Sequence, residues 1–417
     1  MKILMSAYAC EPGRGTELGV GWNTAWEIAK SHEVWVLTRP DDGRESIEAE
    51  LQRHPNPNLH FVYFTLPVFG SIWRSGGSIA FVIHYYFWQV QAFFVARRLH
   101  QEIHFDVAHH VTFVRHSSPS FLALLPIPLI WGPVGGGESA PATFWQDFSF
   151  GNKVYEILRS AARWLGERDP FARMTARRSA LVRVTTEDTA IRVRQMGAKK
   201  VEIFPEASLT KEEIARLSQC ATSNSTTVRF ISMGRLLHWK GFHLGLRAFA
   251  QAEIPDAEYW VLGEGPDRQR LEALAAELGI ADRVKFWNRL PRDEALQKLG
   301  SCTALVHPSL HDSGGWVCLE AMMAARPVIC LDLGGPAVQV TDETGVKVNA
   351  HNPDRAVQGL AAAMIRLAND PELRLSMGQA GQLRVQQFYN WEIRGQQMCQ
   401  LYEDVVKATL FQSELIH

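Results

Sequence analysis

No two aspartates in this chain stand two residues apart, and none of its six cysteines (10, 220, 302, 318, 330, 399) falls in a C-x-x-C pair. The first absence removes the tight carboxylate pair that most simply grips a divalent cation. The second argues against a disulfide framework or a zinc site and for a reducing compartment. Net charge is also lacking. Lys and Arg number 43 and Asp and Glu 44, a formal charge of −1, so no bulk electrostatic case exists for nucleic acid. There are no short-period repeats. The N-terminus, MKILMSAYAC, is too short for a signal-peptide core and reads as a first strand.

What is present is the composition of an ordinary soluble globular protein, 46% hydrophobic and 21% charged over 417 residues, a length that suits two or three domains. Short apolar runs alternate with helical stretches. Strands are expected at Lys2–Tyr8, Glu33–Thr38, Leu59–Thr65, Asp106–His109, Pro128–Trp131, Leu181–Thr185 and Val201–Phe204, with helices to about Lys30 and over 78–103. From Ser208 to Thr227 the chain turns polar and reads as an interdomain connection. The pattern then restarts, with strands at Val228–Met233, Ala257–Leu262, Arg283–Trp287, Thr303–His307, Val328–Leu331 and Gly345–Asn349. Helices are expected over 240–251, 266–278, 292–300, Trp316–Ala325, 353–385 and from Trp391 to about Leu410. Such alternation means α/β, doubly wound: two Rossmann-like domains with a cleft between them.

The stretch Cys302–Leu333 organises the second half. It reads as strand, glycine-bearing loop, helix, strand. Ligands of open α/β sheets bind outside the carboxyl ends of the strands, and here that end carries Ser313, Gly314 and Gly315 just before Trp316 and Val317 open a helix. Free backbone N–H groups and the positive end of the helix dipole suit an anion. Glu320 lies one turn further in, where its carboxylate can accept hydrogen bonds from a sugar diol such as a ribose. Asp312, eight residues earlier, offers a second carboxylate for another polyol. Together these describe a sugar-nucleotide site. The plain alternative is a surface acid and a first-turn glutamate favoured by the dipole.

Asp312-x7-Glu320, followed by Ala321-Met322 and Arg326-Pro327-Val328, resembles the E-x7-E region of retaining glycosyltransferases of the GT-B fold, family 4. The chain departs at the first acid, Asp for Glu, which draws that carboxylate back by roughly 1.5 Å, one C–C bond. Met233-Gly-Arg-Leu-Leu-His-Trp-Lys-Gly241 is similar to the motif in which an Arg and a Lys, here Arg235 and Lys240 beside Gly234, hold the leaving diphosphate. Gly263-Glu264-Gly265-Pro266 matches a donor-cleft loop. Asn288, Arg289 and Leu290 match the stretch whose backbone meets the base. In the first domain Gly13-x-Gly15-Thr16-Glu17 resembles the N-terminal glycine-rich loop, although it lacks the common adjacent Gly-Gly.

His109-His110 stands where the family places a cleft histidine that steadies positive charge at the anomeric carbon. His110 is preferred and His109 held in reserve, because a strand alternates faces; His116 is a third candidate. Trp131-Gly-Pro-Val-Gly-Gly-Gly-Glu138 is assigned to the acceptor side. The resemblance also implies that the terminal helix, 390–417, crosses back to the acceptor-side domain, 1–207, leaving 208–389 as the donor domain.

The expected activity is therefore retaining, metal-independent hexosyl transfer. The donor is a nucleotide sugar, UDP-glucose foremost, and no other cofactor is expected. Arg235, Lys240 and the helix N-terminus would do the work of a metal. The acceptor would be a glycan or lipid-linked sugar hydroxyl, as in bacterial, including cyanobacterial, exopolysaccharide assembly. Residues 72–99 are aromatic-rich and read either as a core helix or as an exposed apolar surface. With the basic segment 151–205, where Lys and Arg number 12 against 6 Asp and Glu, they leave open a peripheral contact with the inner face of the plasma membrane for a cytoplasmic protein. A non-catalytic sugar-nucleotide-binding subunit is the rival from another class, and a GT-B epimerase a second enzymatic one.

Overall fold

The computed structural model describes residues 1–66, 77–220 and 227–414, leaving aside the side chains of 42, 77–79 and 412–414. The described chain forms two compact units. One comprises Met1–Gly137, Arg159–Glu206 and Trp391–His417; the other comprises Glu138–Leu158 and Ala207–Asn390.

The first unit holds a seven-stranded parallel sheet. Its strands are β1 (Lys2–Ser6), β2 (Glu33–Thr38), β3 (Leu59–Tyr63), β4 (Val107–His110), β5 (Leu129–Val134), β6 (Leu181–Val184) and β7 (Val201–Ile203), in the order β3-β2-β1-β4-β5-β6-β7. The second unit holds six: β8 (Arg229–Met233), β9 (Glu258–Leu262), β10 (Val284–Trp287), β11 (Ala304–His307), β12 (Val328–Leu331) and β13 (Gly345–Val348), in the order β10-β9-β8-β11-β12-β13. Sheets covered on both faces need apolar side chains on both. Accordingly all four residues of β11 (ALVH) and all four of β12 (VICL) are buried.

Each order reverses direction once, between β1 and β4 and between β8 and β11. Those are the switch points where the carboxyl ends of neighbouring strands diverge and leave room for a ligand. The helix Gly77–Ile103 lies between β3 and β4 in the chain, and Arg292–Gly300 between β10 and β11, so these segments carry the chain across the switch points.

The expected boundary at 207/208 needs two corrections. Glu138–Leu158 belongs to the second unit. Phe144 and Phe148 enter its core beside Phe242 and Phe249, and Asp147 lies 3.5 Å from His243 Nε2 and 3.4 Å from Arg247. The polar stretch after Ser208 is not all connection either. Lys211–Cys220 is a helix, opened by a reciprocal cap in which Glu213 N–H donates to Thr210 Oγ1 at 3.2 Å and Thr210 N–H donates to Glu213 Oε2 at 3.0 Å. That Thr-x-x-Glu box satisfies two orphan donors, and Leu217 is fully buried. Residues 221–226 lie outside the described residues.

The last helix, Trp391–Glu414, packs on Thr16–Ile28 within the first unit. Of the aromatic stretch, 72–76 lies outside the described residues. The rest, within the helix Gly77–Ile103, is both things the sequence suggested. Trp88, Ala92 and Ala96 are core, while Val82, Ile83, Phe87 and Phe94 are exposed. Among the described residues no helix is long and apolar enough to cross a membrane.

Candidate active site

The switch point of the second unit collects most of the residues singled out in the sequence. The chain leaves β8 at Gly234 and Arg235, both exposed, and Arg235 makes no ion pair with any described residue. A short turn, His238–Lys240, leads to Gly241. Gly241 has φ +67° and sits against the loop after β11: a Cβ there would lie 1.9 Å from the Pro308 carbonyl oxygen. Only glycine permits that approach.

Backbone contact brings Lys240 to Asp312. Lys240 Nζ is 2.5 Å from Asp312 Oδ2, and His307 Nε2 is 3.2 Å from the same oxygen. Burial works to raise the Asp312 pKa, but the Lys240 ammonium and the His307 hydrogen bond prevail and hold it well below the usual carboxylate range. The sequence reading gave Lys240 to a diphosphate and Asp312 to a sugar as separate groups. The fold joins them as an ion pair, because a half-buried aspartate and a half-buried lysine each need a partner.

Asp312 also shapes the loop. Its Oδ1 accepts from Gly315 N–H at 3.4 Å and its carbonyl from Gly335 N–H at 2.7 Å. Gly315, at φ +57°, is the N-cap of Trp316–Met323 and brings no side-chain cap. The N–H groups of Trp316 and Val317 therefore make no hydrogen bond among the described residues. Gln339 closes the other side by donating to the Gly314 carbonyl at 2.5 Å, and Ser313 lies half-buried between them. The result is a helix start that no described residue caps, the kind of backbone end that suits an anion.

Glu320 is 6% exposed. It is not free for a diol on both oxygens, since Arg292 Nη1 lies 2.7 Å from its Oε1, and Arg292 Nη2 lies 3.1 Å from Glu213 Oε1. Burial raises the Glu320 pKa against the pull of Arg292. Across the sheet edge Glu264 Oε1 accepts from Arg289 N–H at 3.3 Å, and both residues are exposed beside half-buried Leu290.

In the first unit, Gly15 is the exposed N-cap of Thr16–Ile28, and Thr16 has φ +64°, a backbone that β-branched residues rarely adopt. Glu17 accepts from Phe113 N–H at 2.9 Å, which ties the glycine loop to the end of β4, and burial raises its pKa. His109 and His110 occupy opposite faces of β4, as alternation requires. Neither ring is open to solvent. His109 lies 2.6 Å from Tyr402 Oη and 2.7 Å from the Gly132 carbonyl; His110 lies 3.1 Å from Tyr85 Oη and 3.3 Å from Gln89 Nε2. His110 is 0% exposed, covered by Tyr85 and Gln89 from Gly77–Ile103. Burial pushes the pKa of each histidine down to about 3, so both are neutral. His116 is bound to Glu167 at 3.1 Å.

These loops stand where sequence comparison is informative. Residues 215–384 match the glycosyl transferases, group 1. That group 1 segment contains Arg235, Lys240, Glu264 and the whole of Asp312–Glu320, but none of the first-unit candidates. The chain is similar to the lipopolysaccharide core biosynthesis glycosyltransferase LpsD of Rhizobium meliloti (strain 1021), 35% identical over 208 residues, 48% of this chain and 57% of that protein. It is likewise similar to the 2-deoxystreptamine glucosyltransferase of Streptomyces kanamyceticus, 30% identical over 225 residues, 50% of this chain and 56% of that protein. The chain thus spans about half the length of the curated relatives it matches.

Solved structures extend the likeness of fold over nearly all of it. Anabaena HepE in complex with UDP aligns with a TM-score of 0.62 at 18% identity, covering 97% of this chain and 100% of that one. WaaG, a glycosyltransferase involved in lipopolysaccharide biosynthesis, aligns with a TM-score of 0.57 at 15% identity over 96% and 99%. The fold is GT-B, with two parallel-sheet Rossmann-like domains.

Around the group 1 loops the structure shows residues the sequence reading passed over. Glu156, 1% exposed, lies with its Oε1 3.1 Å from His238 Nε2 and 3.3 Å from His311 Nε2. Trp239 stacks between Tyr155 (5.5 Å, 6°) and His311 (5.1 Å, 17°). The only signal in the sequence was position: each histidine stands one or two residues before a singled-out residue, Lys240 or Asp312.

Proposed function

We propose that the protein is a retaining glycosyltransferase that moves a hexose, glucose from UDP-glucose, onto a hydroxyl of a glycan or lipid-linked sugar without a metal. The observation that carries this is the cation and donor set on the loops after β8 and β11: Arg235, which makes no ion pair with a described residue, Lys240, which meets Asp312, and the N–H groups of Trp316 and Val317, which no described residue caps. Together they suit a diphosphate, and Glu320, one turn deeper, would meet a ribose diol. No nucleophilic side chain is needed. The leaving diphosphate, held on one face, helps deprotonate the acceptor, and catalysis is positioning plus electrostatic stabilisation.

Thermal unfolding with UDP, GDP, ADP and TDP, with and without EDTA, tests the donor reading. A ligand at 100 times its dissociation constant adds about 2.7 kcal/mol. A shift with UDP, unaltered by EDTA and lost in Arg235→Ala, is the expected result. No shift with any nucleotide would end the proposal. Slow UDP-glucose hydrolysis separates an enzyme from a binding subunit, which would show none.

The acceptor side of the proposal includes a peripheral contact with an anionic lipid surface. It is supported within the first unit by exposed Val82, Ile83, Phe87, Phe94, Trp164, Leu165 and Phe171. The rings of Tyr86, Phe121 and Phe171 run on from one to the next at 5.8 and 5.3 Å, and exposed Arg168, Arg177 and Arg178 add positive charge. Co-sedimentation with vesicles containing phosphatidylglycerol is expected, weakened in Phe87→Glu and absent with phosphatidylcholine alone. Equal recovery in the supernatant with both vesicles would remove the membrane from the proposal.

A further inference from the structure

Glu156 is a carboxylate buried to 1% exposure on the helix Phe150–Gly166, in the part of that helix that belongs to the second unit. A buried carboxylate is tolerated only when its lone pairs are used. Here one oxygen serves two histidines from two different loops. His238 comes from the turn after β8 and His311 from the loop after β11, at 3.1 and 3.3 Å. Each ring must present Nε2–H to be a donor, so the carboxylate sets the tautomer and the direction of both.

The residues that follow these histidines belong to the donor site. Lys240 is two after His238 and Asp312 is one after His311, and they form the 2.5 Å ion pair. Between the two histidines lies Trp239, whose carbonyl accepts from Leu310 N–H at 2.8 Å and from Ser309 Oγ at 3.4 Å. Tyr155, next to Glu156, stacks on the far face of Trp239. Phe148 meets the His238 ring edge-on at 4.8 Å. One short segment, Glu138–Leu158, therefore touches both donor loops through a charge, two rings and an indole sandwich.

We propose that Glu156 is a positioning residue for the donor site. By holding His238 and His311 together it fixes the distance between the loop that carries Arg235 and Lys240 and the loop that carries Asp312–Gly315. This rests on the reading of those loops as the site of a nucleoside diphosphate. Glu156 itself touches no substrate. Its effect comes through geometry, where a misplacement of about 1 Å costs on the order of a hundredfold.

The test compares the unaltered protein with Glu156→Gln and Glu156→Asp, reading UDP affinity, steady-state constants for UDP-glucose and amide hydrogen exchange without ligand. Glu156→Gln, which can accept at one oxygen but loses the charge, is expected to weaken UDP binding and to lower kcat/KM by about tenfold or more. Exchange is expected to quicken in 234–241 and 308–315 while β9, β12 and β13 keep their protection. Should Glu156→Gln fail to fold, His311→Gln serves in its place, and the same two segments are expected to loosen. UDP affinity and loop exchange equal to those of the unaltered protein would overturn the inference while leaving the donor site standing. An unaltered protein that binds no UDP would overturn both. Uniformly faster exchange through the whole second unit would mean that Glu156 only stabilises the fold, which also overturns the inference.

Discussion

Lys240→Ala is expected to lose both stability and turnover, and adding Asp312→Asn is expected to restore only the stability. The two side chains are 19% and 17% exposed, so the single variant leaves a largely buried carboxylate without its cation. Breaking such a pair on one side costs about 3 kcal/mol or more, which denaturant titration would show as a lower midpoint at unchanged slope. Asn at 312 removes the stranded charge, keeps its amide oxygen for the Gly315 N–H and turns its Nδ2–H to His307 Nε2 in the tautomer that accepts. Turnover should behave otherwise. If Lys240 neutralises the leaving diphosphate, its loss depresses kcat by more than about tenfold, roughly 1.4 kcal/mol in the barrier, and no change at 312 returns a cation to the site. A double variant that regains turnover would show that Lys240 serves the fold alone. A single variant as stable as the parent would show that the pair is worth nothing.

The second large effect is acid sensitivity of the first unit. His109 and His110 are both fully enclosed, and burial lowers each from an ordinary value of 6.5 to about 3. The unfolded chain takes up a proton at each ring as pH falls through about 6.5, whereas the folded chain does so only near 3. The unfolded state thus binds more protons across this window, so stability rises with pH there, is complete above about 6.5, and falls as the solution is acidified. Each histidine contributes a slope of about 1.4 kcal/mol per pH unit. In His110→Gln, where the amide can still meet Tyr85 and Gln89, the slope between pH 6 and 4.5 should be shallower by about that amount. Equal slopes in parent and variant would mean that the ring is protonated in the fold.

Most strands and the longer helices between them were legible because parallel sheets write themselves as dense apolar runs. β2, at Glu33–Thr38, and β12, at Val328–Leu331, have the bounds expected. Phe150–Gly166 escaped notice for a physical reason. Its apolar stripe, with Phe150, Ile157, Leu158 and Leu165, points to solvent, while Glu156 and Arg163 point inward. A reading that assigns apolar faces to the core has no place for such a helix. Lys211–Cys220 was legible through its Thr210–Glu213 box and was passed over because its composition is polar.

Within the candidate site the residue types and loop positions could be read from the sequence, but the pairings could not. Asp312 meets Lys240 across 72 residues and Glu320 meets Arg292 across 28; only the folded sheet edge brings either pair together. Burial of His110 depended on a helix about 20 residues upstream supplying Tyr85 and Gln89, which periodicity within β4 does not report.

The approach of Gly241 to the Pro308 carbonyl has a consequence for how this protein can be recombined. The turn after β8 and the loop after β11 meet there through bare backbone, with no side chain between them to absorb a mismatch. They behave as one cassette. A chimera that imports the β11 loop of a relative must import the β8 turn with it, because a shift of a few tenths of an ångström in one has nowhere to go in the other. The two segments are therefore exchanged as a block rather than residue by residue.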